Sequence, residues 1–262
     1  MPLLAFGMIL CQSILSTSAS AATDPASVVF ADRQVTTSTD TYNYEVYIPA
    51  HWDKRKKWPV ILFLHGSGER GTDNRAQTKN GIRLLIAQSG DKFPCVVVCP
   101  QCRPNVWYSA PAMDEMVRKE MDQAVQEFNG DPKRLYLTGL SMGGYGTWQF
   151  AQEEPHKWAA IAPCCGGIVY GSHNQTVVGT DVTAGDPYVL AAHTVVGMPT
   201  WVFHGGADPT VPVSEARQMV ALLFMLGGDI KYTEYPGVGH NSWDYAYKEP
   251  GLLPWMLSHK LK

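Results

Sequence analysis

No stretch of this chain is long and apolar enough to span a membrane. The longest apolar run, Leu3 to Leu15, stops short of the roughly 20 residues that a spanning helix needs. Charge is also scarce: charged residues make up 17% of the chain, with a formal net charge of −3. That balance supplies no basic surface for nucleic acid, and neither nucleic acid nor a stable membrane anchor is expected as a partner. Internal repeats and low-complexity linkers are missing too. Histidines at finger-like spacing from the cysteines are absent, which argues against zinc at that cluster; the serine chemistry that the motifs carry requires no metal or cofactor.

What is present suits one globular domain. The chain has 262 residues, 45% of them hydrophobic, enough for a sizeable core without a second domain. Residues 1–21 have the pattern of a secretory signal peptide. An apolar stretch is followed by small polar residues and the A-x-A signal Ala19-Ser20-Ala21. No Lys or Arg precedes the apolar run. The expectation is a leader over 1–21, a catalytic domain over 22–262, and a secreted or periplasmic location. Of six cysteines, Cys11 falls in the leader. The remaining five are an odd set, Cys95, Cys99, Cys102, Cys164 and Cys165, and at least one must lack an intramolecular partner. One or two disulfides fit an oxidising compartment. Cys99-Pro-Gln-Cys102 has redox-motif spacing but leaves a strand rather than opening a helix, which argues against redox chemistry.

Strands alternate with helices along the chain. Tyr42–Ile48 alternates and reads as an antiparallel edge strand. Pro59–Leu64 and Phe93–Pro100 are continuous apolar runs, as in strands buried on both faces. Helices are expected over Asn80–Ser89, Ala112–Phe128, Pro187–His193, Ser214–Leu226 and Trp243–Lys260. Gly166–Asp186 has no periodicity and reads as an excursion that carries a glycosylation sequon, Asn174-Gln-Thr176. The pattern implies a mostly parallel α/β sheet covered by helices on both faces.

The centre of that pattern is Gly139-Leu-Ser-Met-Gly143. It follows a short apolar strand and precedes a helix, the context in which G-x-S-x-G is a nucleophile elbow. Ser141 is then presented at the C-terminal edge of the sheet. A serine hydroxyl needs a base within reach, and the base needs an orienting carboxylate. Asp208 and His240 follow in the order Ser, acid, His, each in a loop just after a strand, so the parallel sheet brings all three to one edge. Asp181 and Asp186 are the alternative acids. His204 precedes Asp208, the wrong order for a base. The oxyanion hole needs two backbone N–H groups. Met142 supplies one, and Ser67, in the loop after the Pro59–Leu64 strand, the other, with Gly66 or Gly68 as alternatives. His65 is expected to tie that loop down. Glu69 and Arg70 either brace it as an ion pair or are solvated.

Taken together, His65-Gly-Ser-Gly-Glu-Arg-Gly71, Gly139-Leu-Ser-Met-Gly-Gly-Tyr-Gly-Thr-Trp148, His204-Gly-Gly-Ala-Asp208 with Val211-Pro212, and Gly239-His240 resemble the α/β-hydrolase superfamily. Within it they look most similar to secreted esterases of the phospholipase/carboxylesterase and polyhydroxybutyrate-depolymerase-like groups. Those groups include feruloyl and acetyl-xylan esterases and predicted peptidases of the prolyl-oligopeptidase type. The resemblance implies an α/β-hydrolase fold with no large lid and a catalytic triad of Ser141, Asp208 and His240. It also implies an oxyanion hole at Ser67 and Met142, and pocket aromatics at Trp107 or Tyr108. The expected activity is carboxylic ester hydrolysis of short-acyl or aryl, feruloyl-type esters, on a small molecule or a polymer. A serine peptidase and a polyester depolymerase using the same triad are the alternatives.

Overall fold

Side chains along the Trp58–Leu64 strand alternate between two separate cores. Val60, Leu62 and Leu64 enter one, while Ile61 and Phe63 enter the other. A strand's period of two sends successive residues to opposite faces, and both faces are covered here, so the run is apolar throughout. The computed structural model describes residues 23–170, 175–176 and 185–262. The leader expected over 1–21, the sequon asparagine Asn174 and the alternative acid Asp181 lie outside the described residues.

The elements are β1 (Ala31–Thr36), β2 (Thr41–Tyr47), β3 (Trp58–Leu64), α1 (Ile82–Ser89), β4 (Val96–Cys99), α2 (Pro111–Glu127), β5 (Gly130–Leu140), α3 (Met142–Glu153), β6 (Ala160–Cys164), β7 (Val169–Tyr170), β8 (Gln175–Thr176), α4 (Pro187–Val195), β9 (Thr200–Gly205), α5 (Ser214–Met225), β10 (Ile230–Tyr235), α6 (Trp243–Ala246) and α7 (Leu252–Ser258). The main sheet has eight strands in the order β1-β2-β4-β3-β5-β6-β9-β10. From β4 to β10 every pairing is parallel. β1 and β2 join antiparallel. On one face α2 packs Met113, Met116, Val117 and Met121 against the strands, and α3, α4 and α5 contribute to the same core. On the other, α1, α6 and α7 contribute Leu85, Ala246 and Met256, with Tyr247 just after α6.

Three expectations change. Thr41–Tyr47 is not the edge strand; β1 lies outside it. β1 is largely exposed and polar, with Val35 its one buried residue, so its composition carried little strand signal. The C-terminal helix is split into α6 and α7, because Pro250-Gly251 cannot continue a helix. Cys95, Cys99, Cys102, Cys164 and Cys165 are all buried free thiols, and no disulfide forms among the described residues. They fill the core as small apolar side chains.

Candidate active site

Ser141 sits between β5 and α3 with φ 53° and ψ −116°, a left-handed conformation that costs a non-glycine residue energy. Close packing enforces it. A Cβ on Gly143 would stand 1.9 Å from the Leu64 carbonyl oxygen, one on Gly139 2.3 Å from the Gly143 carbonyl oxygen, and one on Gly144 2.4 Å from that of Cys164. The Ser141 N–H donates to the Cys164 carbonyl at 3.0 Å. The turn is thus clamped from both neighbouring strands.

The β5, β9 and β10 exits converge as the parallel sheet requires. Ser141 Oγ lies 2.8 Å from His240 Nε2, and His240 Nδ1 lies 2.8 Å from Asp208 Oδ2. The carboxylate accepts the Nδ1 proton, which leaves the Nε2 lone pair to accept from the serine hydroxyl. The Asp208 side chain is fully buried. Its Oδ1 accepts from the Thr210 and Val211 N–H groups at 2.8 and 2.9 Å. Burial alone would push this carboxyl up. Hydrogen bonds from His204, His240 and the Val211 and Thr210 N–H groups outweigh that and hold it well below its ordinary 3.8.

His204 belongs to this arrangement, although its place in the chain argued against it. Its Nε2 is 3.0 Å from the Val211 carbonyl oxygen and 3.4 Å from Asp208 Oδ2. The carbonyl can only accept, so Nε2 carries the proton and shares it with the carboxylate. Gln101 and Glu215 are two more buried polar residues that sequence reasoning missed. Gln101 Nε2 donates to the Glu69 carbonyl at 3.1 Å and steadies the loop after β3. Glu215, in the first turn of α5, accepts from the Ile168 and Val169 N–H groups at 2.9 and 3.3 Å and from Tyr188 Oη at 2.5 Å. It pins the start of β7. The alternative acid Asp186 instead caps α4, accepting from the Tyr188 N–H at 2.8 Å.

The loop after β3 lies against the elbow: a Cβ on Gly66 would come 3.6 Å from Ser141 Cβ. His65 holds it from beneath. Its Nε2 accepts from the Cys102 N–H at 3.0 Å, and its Nδ1 donates to the Gly66 carbonyl at 2.6 Å. Burial pushes this imidazole down to about 4, so it is neutral and structural, as expected. Tyr108 accepts from the His65 N–H through its hydroxyl at 3.1 Å and is buried. It therefore supports the loop rather than lining a pocket. Trp107, one residue earlier, does face the cleft.

That cleft is about 170 Å³ and contains Ser141 together with Ser67, Met142, Arg70, Trp107 and Tyr170. Larger hollows exist, among them one of about 520 Å³ beside Arg75, Lys79 and Arg83, but they do not reach Ser141. Trp107, Tyr145 and Tyr170 form a cluster with ring centroids 4.7 to 6.1 Å apart. Tyr145 lies one helical turn beyond Ser141 on α3, a spacing that could have marked it. Glu69 and Arg70 do not pair: Glu69 accepts from Asn80 Nδ2 at 2.6 Å, and Arg70 stacks over Trp107 at 5.5 Å. No group of three His, Cys, Asp or Glu side chains among the described residues is placed to hold a metal ion. None of the described helices is long and apolar enough to cross a membrane.

Comparison with known proteins agrees with this geometry. The profile of the prolyl oligopeptidase family matches residues 117–251. An uncharacterized secreted protein of Arthroderma benhamiae is 28% identical over 208 residues, which cover 72% of this chain and 22% of that protein. The bifunctional acetylxylan esterase/xylanase XynS20E of Neocallimastix patriciarum is 35% identical over 130 residues, covering 48% of this chain and 18% of that protein. The chain thus spans about a fifth of the length of these two relatives. A solved structure of a thermostable esterase superposes with a TM-score of 0.76 at 32% identity, covering 88% of this chain and 63% of that one. Sheet order, elbow and comparisons place this chain in the α/β-hydrolase class. Within it, the chain belongs to the prolyl oligopeptidase family.

Proposed function

We propose that this chain is a secreted serine esterase whose catalytic domain spans residues 22–262. The observation that carries the reading is the unbroken relay from Ser141 through His240 to a buried Asp208, both contacts at 2.8 Å. Ser141 Oγ attacks the ester carbonyl carbon as His240 Nε2 takes its proton. The tetrahedral oxyanion is held by the N–H groups of Ser67 and of Met142, the first residue of α3, where helix N–H groups are unsatisfied and the dipole is positive. Collapse breaks the bond to the alcohol oxygen, which leaves with the proton from His240. Water then attacks the acyl-enzyme, giving its proton to His240; collapse releases the acid, and His240 returns that proton to Ser141 Oγ.

The aromatic cluster and the small cleft favour short-acyl or aryl substrates, feruloyl-type esters included. The expected leader and the relative described as secreted support an extracytoplasmic location. The family's peptidase members support a second reading, peptide hydrolysis by the same residues. Hydrolysis of p-nitrophenyl acetate, butyrate and octanoate and of methyl ferulate, set beside a peptidyl p-nitroanilide, separates the two. Ser141→Ala should lower kcat by about 10³-fold or more on whichever class is turned over. Full activity in that variant would sink the mechanism. Turnover of the anilide alone would replace the esterase reading with the peptidase one.

A further inference from the structure

Among the described residues, Arg70 has no structural partner that explains it. Each of the chain's eight other arginines donates to a carboxylate or a backbone carbonyl. Arg70 makes no hydrogen bond or ion pair among the described residues. Its Nε is buried without a partner, and its guanidinium carbon rests 5.5 Å over the Trp107 ring. Its neighbour Glu69, the nearest carboxylate in sequence, is committed to Asn80.

The backbone around Arg70 is nonetheless fixed. Gln101 holds the Glu69 carbonyl, and the Gly71 N–H donates to the Cys102 carbonyl at 2.9 Å. The side chain therefore starts from an immobile point, three residues from Ser67, and lies in the same cleft as Ser141. A guanidinium seated against an aromatic face offers a flat fork of donors whose geometry matches a carboxylate in two parallel hydrogen bonds. A cation inside the reacting cleft with no counter-charge among the described residues is a recognition group awaiting one.

We propose that Arg70 is the specificity residue of this site, and that the preferred substrates are esters bearing a free carboxylate beyond the scissile bond. The proposal rests on the serine-esterase reading above. Trp107 holds the guanidinium plane, and the substrate carboxylate supplies the bonds that Arg70 does not make among the described residues. A charge-assisted bidentate contact of this kind is worth about ten- to a hundredfold in selectivity.

The test compares kcat/KM within two matched pairs, each corrected for its rate of alkaline hydrolysis. On the acyl side, mono-p-nitrophenyl adipate is set against p-nitrophenyl pentanoate. On the alcohol side, p-carboxyphenyl acetate is set against phenyl acetate. Wild type should favour the anionic member of at least one pair by about tenfold, and the ratio should shrink with added salt. Arg70→Gln should bring that ratio to about one, and Arg70→Lys should keep part of it, whatever happens to absolute rates. A wild-type ratio near one in both pairs overturns the proposal, as does a preference that survives Arg70→Gln. If Arg70→Gln does not fold, inhibition of wild type decides: benzoate should compete more tightly than benzamide and lose its advantage in salt, and equal inhibition overturns the proposal. Failure of wild type on all four esters is a different result. It removes the esterase reading, and this inference goes with it.

Discussion

Glu120 should make this protein less stable as pH rises above the ordinary carboxylate range. It lies on the buried face of α2 with no exposed surface, and neither carboxyl oxygen has a hydrogen-bond partner among the described residues. Burial drives its pKa well above the ordinary 4.5. The folded protein therefore keeps the proton at a pH where the unfolded chain has lost it. The unfolded state binds fewer protons, so stability is whole below about 4.5 and falls as pH rises, by about 1.4 kcal/mol per pH unit. The loss continues until the folded group itself ionises. A slope of that size, held over even one pH unit, is a large share of a typical margin. Glu120→Gln should abolish that slope. Glu120→Met should abolish it and also remove the unpaired acceptor, giving a net gain on the order of 1–3 kcal/mol at pH 7. Urea denaturation of wild type and both variants at pH 5.5 and pH 7 reads the slope as a difference of differences. Equal pH dependence in wild type and Glu120→Gln would refute the reasoning. Lower stability of Glu120→Met at pH 7 would show that the carboxyl has a partner after all.

Other outcomes follow from single contacts. His204→Phe removes a donor from the Asp208 carboxylate and strands the Val211 carbonyl. Steady-state kinetics should show kcat about tenfold lower with KM little changed, and an unaltered kcat would make His204 a bystander. Tyr108→Phe leaves the buried His65 N–H unpaired. It should cost about 1–3 kcal/mol in denaturant unfolding while leaving the order of substrate preference intact; a changed order would put Tyr108 back in the pocket. Gly143→Ala should yield no folded protein by circular dichroism, because its Cβ meets backbone at 1.9 Å. Gly68→Ala, with nothing within 4 Å of the added carbon, should fold normally.

Much of the fold was legible because burial on both faces writes a simple signal. Val60–Leu64 and Val96–Cys99 are strands that anything but a central position would have made polar on alternate residues. The elbow was legible because its glycines answer to backbone contacts that no other residue could satisfy. Chain order picked out Asp208 and His240 but excluded His204, since order governs which histidine receives the serine proton and says nothing about which one steadies the acid. Tyr108 and Trp107 are neighbours in one irregular loop. Without a period, nothing in the sequence tells which ring faces the cleft and which faces the core. Glu120 was readable in principle. The helix buries Met113, Met116, Val117 and Ala124, and the 3.6-residue period puts position 120 on that same stripe. The five thiols could be counted but not paired, because pairing depends on distances that only the fold supplies.

The glycines packed between β3, β5 and β6 have a consequence for how such a protein can change over generations. Around Ser141, backbone touches backbone, so the nucleophile cannot shift by accumulating single substitutions; each first step collides with a neighbouring strand. Arg70, Trp107 and Tyr170 stand on strand exits and a short hairpin, where replacement disturbs no such contact. Descent with modification would therefore leave the manner of cutting untouched while what is cut drifts freely. A laboratory selection for new substrates should collect its mutations at that rim and find the elbow silent.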